Sequence, residues 1–468
     1  MAQPPPTPKI SSAESAKAAI AGQASQSAVN KTLLQLSLPL ILHAMIGLIV
    51  TLADTIIISG YSANAAAAVS MSNQVLLVAY ELSAMFGVGA VVLISRRLGN
   101  GDEAGAKTIA EAAVAANAIV STFVAIGLFL GAELFARALN APASIYADIV
   151  IYLRVAAFAI FFNGVMMAAS SSLRAYGRTK VILALGVAAY SLYLCVLYAL
   201  VYGAGPLPEL GVLGSALATL IVRTFGAAVL FYVVVSRLHI RLDLFTRVRQ
   251  LAKEFRGMLK LSYPSAVDNT AYGFYQMILV SFIARFDVAV ILSRTFTLAV
   301  SAVLTVVLMA ISQSNEVMVG YRHGAGKNQQ VYACVMRSAF IAAAITTGLA
   351  IALYSFSDSL ISLFTDNKDI IATCGELLFL TILVQPLSSL NTVIFHSLKT
   401  IGDAFVPVLI TQIMMWSLSV PLAYFLAVSL EFGVVGLWYV LVFEEGLKTI
   451  VLLIRFSILS RRNIAAHV

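Results

Sequence analysis

Long stretches of the chain are apolar at nearly every position, and short polar or charged interruptions separate them. A helix needs roughly 20 apolar residues to cross about 30 Å of hydrocarbon. Runs of that order lie at 33–60, 66–95, 108–132, 145–172, 179–203 and 211–236, and again at 258–284, 288–320, 330–357, 369–397, 404–430 and 433–458. Between the sixth and seventh runs lies a basic stretch, 237–257, that contains HIRLDLFTRVRQLAKEFR. The pattern predicts an all-α integral membrane protein with twelve transmembrane helices.

The runs fall into two matching halves. LSLP at 36–39 returns as LSYP at 261–264, RRLGNG at 96–101 as YRHGAG at 321–326, and SLRAYG at 172–177 as SLKTIG at 397–402, each 225 residues later. GVLG at 211 and GVVG at 433 are 222 apart. A near-constant offset at four places marks a duplication. Each half holds six spans, an even number, so the second starts on the same side as the first. The expected architecture is two parallel six-helix repeats, an N bundle (33–236) and a C bundle (258–460), related by a pseudo-two-fold axis along the membrane normal. Two such bundles facing each other suit alternating access, with cargo bound between them. The glycines of the repeated turns, Gly99, Gly101, Gly324 and Gly326, are expected to supply positive φ.

Composition closes off the soluble classes. The chain is 60% hydrophobic and 11% charged, with a mean hydropathy of +0.93, whereas soluble domains carry about 25% charged residues. A cytosolic enzyme, a disordered protein and a secreted scaffold are excluded. The net charge of +8 does not point to nucleic acid, because the basic residues cluster between spans. With both termini cytoplasmic, Arg96, Arg97, Lys107, Arg174, Arg178, Lys180, Arg322, Lys327, Lys399, Arg455, Arg461 and Arg462 lie inside, and little beyond Arg137, Arg285 and Lys368 lies outside. The positive-inside rule therefore sets termini in, as for a bacterial inner membrane. Residues 1–32, rich in Pro, Ala, Ser and Gln and without a signal-peptide core, read as a disordered cytoplasmic tail, and 461–468 as a second short tail. Cys195, Cys334 and Cys374 are scattered in apolar runs and form no zinc or disulfide pattern. No P-loop, dinucleotide fingerprint or hydrolase motif occurs, so neither ATP use nor catalysis has support.

At RRLGNGDEAGA, LRAYGRTK, GVLGSALATLIVR and PLILHAMIGLIVTLADTIIISG, over about residues 33–460, the sequence resembles the multidrug and toxic compound extrusion (MATE) family of the wider MOP flippase superfamily. The resemblance implies a V-shaped twelve-helix fold and export of organic, commonly cationic, compounds driven by inward protons or sodium. It also puts the coupling carboxylate of the N bundle at Asp54. Many members carry a glutamate eight residues after the proline of the seventh helix. Here that position is Tyr272, and Asp268, one turn nearer, takes its place. Some branches add an acid in helix five, where this chain reads YSLYLCVLYALVYG with none.

The remaining candidates come from the cost of ionisable groups in the membrane, roughly 2.5–3.5 kcal/mol each at mid-span. Asp54 falls in the outer half of the first span. A drying site favours a neutral acid and a neighbouring cation favours the carboxylate, which is a means of exchanging one for the other. Asp54, Asp268 and Glu81 are the expected ion-coupling residues. Lacking an acid beside it, Asp54 suits a proton ahead of sodium, which wants several oxygen ligands. His43, Tyr272, Tyr275, Arg294 and Glu316 are the expected cavity residues, with Tyr61, Tyr80, Phe274 and Met277 as further aromatic or polarizable surface. Pro39 and Pro264 lack a backbone donor and are candidate bending points. In the last span Glu444 is spaced to pair with Lys448, while Arg223 and Glu445, at equivalent repeat positions, are open to bridging the bundles or to neutralisation within each. The expected protein is thus a monomeric secondary antiporter of small organic, cationic or amphiphilic compounds in contact with membrane lipid. It needs no cofactor beyond H+ or Na+ as coupling ion. The alternatives are a lipid-linked oligosaccharide or lipid flippase, disfavoured by interior acids at least as numerous as bases, and an integral-membrane enzyme.

Overall fold

The first helix begins where the chain turns apolar. Thr32 accepts from the Gln35 amide at 3.4 Å, and the Gln35 side chain accepts from the Thr32 amide at 3.1 Å, a reciprocal cap. The computed structural model describes residues 31–203, 208–238 and 248–465. Almost all of the tail 1–32, and the end of the tail 461–468, lie outside the described residues, as does 239–247 of the basic stretch.

Twelve helical spans follow in order: α1 (Leu33–Tyr61), α2 in two pieces, α2a (Ala63–Ser83) and α2b (Phe86–Gly99), α3 (Glu103–Ala138), α4 (Tyr146–Ala175), α5 (Thr179–Tyr202), α6 (Gly211–Leu238), α7 (Val248–Ile283), α8 (Val288–Gly324), α9 (Asn328–Ser355), α10 (Lys368–Thr400), α11 (Phe405–Ser429) and α12 (Gly433–Ala465). No strand occurs among the described residues. Ten spans are long and apolar enough to cross a membrane. The other two, α7 and α12, are diluted by Asp268, Asn269 and Gln276 in the one and by Glu444, Glu445 and Lys448 in the other.

Helices α2, α3 and α10 outrun the apolar runs at both ends. The largest difference is at α7, which starts at Val248, so the second half of the expected linker is helix. The cause is packing: Leu251 and Phe255 lie against the N-bundle core, with the Phe255 ring 4.9 Å from that of Phe86. Helix α2 breaks after Ser83 because neighbouring amides take over its polar groups. Asn117 of α3 accepts from the Phe86 backbone at 3.3 Å, and Asn163 of α4 donates to Ser83 Oγ at 2.6 Å. Helix α11 widens into π turns at Met415–Ser419 and Phe425–Ser429, on either side of Pro421, which can donate no ladder bond.

The bundles meet at the end where α1 starts and α12 finishes, the linker end. There α2b packs on α8 and α7, and α1 packs on α8. Leu33 and Leu36 join a C-bundle core with Val319 and Val335, while Met258, Val317 and Tyr321 join an N-bundle core with Ile94 and Leu98. At the other end, the far end, α2a packs on α1, α3, α4 and α6 of its own bundle.

The seam repeats the duplication. Arg96 Nε donates to the Thr400 carbonyl at 2.7 Å, and Tyr321 donates through its hydroxyl to the Ala175 carbonyl. Residues 96 and 321 are repeat mates, as are 175 and 400, so this is one contact used twice about the axis with two different donors. Between them α2b and α8 touch backbone to backbone. A side chain on Gly99 would run into the Tyr321 carbonyl, and one on its mate Gly324 into the Arg96 carbonyl. Of the four glycines expected to supply positive φ, Gly101 (φ 76°) and Gly326 (φ 72°) do so. Gly99 and Gly324 are helical and serve close approach instead.

Tyr321→Phe should weaken this seam by about 1 kcal/mol, the usual net value of one hydrogen bond. The check is maleimide labelling of Val92→Cys, a position on α2b buried against Leu261 and Ala404 of the other bundle. Its rate is expected to rise about fivefold, which is what about 1 kcal/mol allows; an unchanged rate would assign the hydroxyl no part in closure.

Candidate transport site in the first bundle

Helix α1 carries Asp54 seven residues before its end at Tyr61, about 10 Å below the far end at 1.5 Å per residue. Helix α5 lies alongside and presents Tyr190 and Tyr193, three apart and so on one face. Tyr193 donates its hydroxyl to Asp54 Oδ1 at 2.7 Å. Thr51 and Thr55 turn their hydroxyls back to carbonyls of α1, each at 3.0 Å. All of these but Thr55 border a cavity of about 450 Å³ whose wall includes Thr51, Asp54, Asn73, Tyr80, Tyr152, Tyr190, Tyr193, Thr219 and Arg223. Asp54 is its one carboxylate among the described residues.

A second cavity of about 430 Å³ adjoins it towards the linker end, with His43, Glu81, Asn163, Met166, Met167 and Phe225 in its wall. The two share Tyr80, Met166, Ala189, Tyr190 and Arg223. The His43 ring leans on Tyr190 at 5.4 Å. The partition is built around Arg223 of α6: its guanidinium lies over the Tyr80 ring, 4.0 Å from the centroid, and donates to Asn163 Oδ1. The Asn163 amide is in turn fixed by Ser83, at the break in α2.

Asp54, Glu81 and His43 are therefore gathered at two adjoining cavities of the N bundle. The C-bundle candidates are placed differently. Asp268 of α7 accepts from Thr411 at 3.2 Å and Gln412 at 2.8 Å, both on α11. Tyr272 is half exposed and accepts from Gln276 at 2.5 Å, and Arg294 donates to the same Gln276 at 2.6 Å. Tyr275, expected in a cavity wall, is buried in the C-bundle core and donates to Glu444 at 2.8 Å. Glu444 also pairs with Lys448, which reaches Glu445 at 3.6 Å, and Asn391 donates to Glu445 at 2.9 Å. Arg223 and Glu445 are thus each served within their own bundle and do not bridge. Glu316, also expected in a cavity, is buried in the linker-end seam within electrostatic reach of Arg174 and Lys399. Pro39 is buried near the linker end of α1, well away from Asp54, and Pro264 is buried near the middle of α7; neither helix is interrupted there.

Sequence reasoning did not single out Tyr193, Asn73, Asn163 or Thr219. The one available signal was the Tyr190/Tyr193 spacing in a helix opposite the acid. Among the described residues no cluster of His, Cys, Asp and Glu is built to hold a metal ion.

The MatE family model matches this chain twice, over residues 39–199 and 264–425. The chain belongs to the MATE transporter family. Both matches begin at the repeat-mate prolines, Pro39 and Pro264, so the duplication read from short motifs extends over the first five spans of each bundle of this MATE chain. A curated relative, the uncharacterized transporter YisQ of Bacillus subtilis, is 29% identical over 421 residues, covering 90% of this chain and 92% of its own. The probable multidrug resistance protein NorM of Thermotoga maritima is 23% identical over 412 residues, covering 88% of each. Among solved structures, an outward-facing multidrug resistance MATE family transporter of the MOP superfamily superposes with a TM-score of 0.83 at 20% identity, over 95% of this chain and 98% of that one. The twelve-helix MATE fold is therefore shared over nearly all of the chain, and the protein is an integral membrane transporter and not an enzyme.

Proposed function

We propose that this MATE transporter exports small organic amphiphiles from a bacterial cytoplasm in exchange for protons. Both termini are cytoplasmic in this reading, the linker end faces the cytoplasm, and the structure is the outward-facing state. The observation that carries the proposal is Asp54: a half-buried carboxylate in a first-bundle cavity, held by one tyrosine hydroxyl and unpaired with any cation among the described residues. A group so placed takes a proton from the far side and releases it when the opposite end opens. Sodium, which prefers several oxygen ligands, is less well served by one carboxylate and one phenol. The orientation is supported by the clustering of Lys and Arg at linker-end turns. A potential of 100 mV adds about 2.3 kcal/mol per inward proton. Export of multidrug type is supported by the NorM relative's name.

The test is purified protein in vesicles loaded with fluorescent amphiphiles, one cationic and one anionic, under a proton-only or a sodium-only gradient. Proton-driven efflux of either dye, with none under sodium, is the expected result. Efflux driven by sodium alone would overturn the proton assignment.

A further inference from the structure

Arg223 lies near the middle of α6, twelve residues from the first, Gly211. There a guanidinium is among the costliest groups a membrane protein can hold. Several other ionisable groups within the spans have their charge matched or internally bonded: Lys448 by Glu444 and Glu445, Glu445 by Asn391, Asp268 by Thr411 and Gln412. Arg223 is different. Its partners are the carbonyl oxygen of an amide and the face of a phenol ring, and among the described residues no carboxylate is within ion-pair distance. Asp54 lines the same cavity and Glu81 the adjoining one, yet neither pairs with it.

The neutral partners look built to orient the guanidinium and leave its charge available. Asn163 can turn only its oxygen to Arg223 because its nitrogen is engaged by Ser83 at 2.6 Å. Tyr80 occupies one face of the plane. Five N–H donors in a fixed fork suit a carboxylate or phosphate, and Asn163 engages one nitrogen. Both cavities open onto this group, and Tyr152, Tyr190 and Tyr193 offer ring surface beside it in the first. The C bundle shows what neutralisation looks like on the same scaffold: at the mate of Arg223 stands Glu445, already paired with Lys448.

We propose that Arg223, oriented by Asn163 and Tyr80, is an anion-recognising residue of the cargo site, and that the cargo is a planar aromatic compound carrying an acidic group. This deepens the export reading, since it rests on the first-bundle cavities being where cargo binds. A second source of the same chemistry is the headgroup of an anionic lipid, and the experiment separates the two.

The full chain in phosphatidylcholine nanodiscs would be titrated with 2-naphthoate, 2-naphthalenemethanol and 2-naphthylmethylammonium, which share one ring system and differ in charge. Wild type is expected to bind naphthoate at least tenfold more tightly than the alcohol. Arg223→Gln should abolish that preference, and Arg223→Lys should retain part of it, keeping the charge but losing the fork. Equal affinity for naphthoate and alcohol in the wild type overturns the proposal without any variant having to fold. So does a preference that survives Arg223→Gln. Adding phosphatidylglycerol should leave the naphthoate affinity unchanged; competition would assign the site to lipid and overturn the cargo reading. Binding is measured with no gradient, so a failure of proton coupling leaves this result intact, and a failure here leaves proton-driven export standing.

Discussion

Asp54→Asn should leave the transporter folded and reduce proton-driven efflux by on the order of a hundredfold or more, the usual scale for removing a group that must gain and lose a proton. Asparagine matches aspartate in volume, and its carbonyl oxygen can still accept from Tyr193, which now holds Asp54 at 2.7 Å. What it lacks is the proton exchange. The measurement is the initial rate of dye efflux from vesicles under an imposed proton gradient, with a melting curve to show that the fold is kept. Asp268→Asn should have a smaller effect, because Asp268 is bonded to Thr411 and Gln412 within the C bundle and lines neither of the first-bundle cavities. Wild-type efflux in Asp54→Asn, or a larger loss in Asp268→Asn, would move the coupling site to the other bundle.

The second large effect is expected at the seam. Gly99→Leu puts a branched side chain where the Tyr321 carbonyl now sits against the helix, and backbone cannot rotate away as a flexible side chain can. Overpacking of this kind costs about 1–3 kcal/mol, or about 5- to 150-fold in population, charged against the state in which the linker end is closed. The protein has an alternative in which the clash is absent, so the population should move there. Spin labels at Asn140 and Asp366, exposed positions in far-end turns of the two bundles, would report it as a shift to shorter distances. Gly324→Leu, the repeat mate, should act alike. Unaltered distances in both would mean that the seam yields locally and does not control access.

Much of this molecule is legible in the chain. Twelve spans, their order and the duplication follow from apolar runs and a fixed offset, because crossing a bilayer leaves the helix few alternatives. Helix rotation is another matter. Tyr275 and Glu316 are as polar in sequence as Tyr193 and Glu81, but which face of α7 or α8 meets a neighbour depends on partners remote in the chain, such as Glu444 for Tyr275, and both are buried. Gly99 was expected to turn the chain and instead lets two helices touch, a role that only the opposite helix reveals. Arg223 and Glu445 show the same limit: their equivalence is written in the offset, but their separate partners, Asn163 and Asn391, are visible only in the assembled bundles.

The unequal polarity of the spans bears on how the chain enters a membrane in the first place. All six N-bundle spans are apolar enough to partition on their own, whereas α7 and α12 are not. The acids and lysine of α12 each oppose insertion by a few kcal/mol at the helix centre. Lys448 is matched by Glu444 and Glu445 within the helix, but the donors that complete the two carboxylates, Tyr275 and Asn391, belong to α7 and α10. Helix α12 leaves the ribosome after α7 and α10 and is therefore the span of this bundle that most needs its predecessors already in place. Synthesis order and bundle assembly are coupled in the second half of this protein and largely independent in the first.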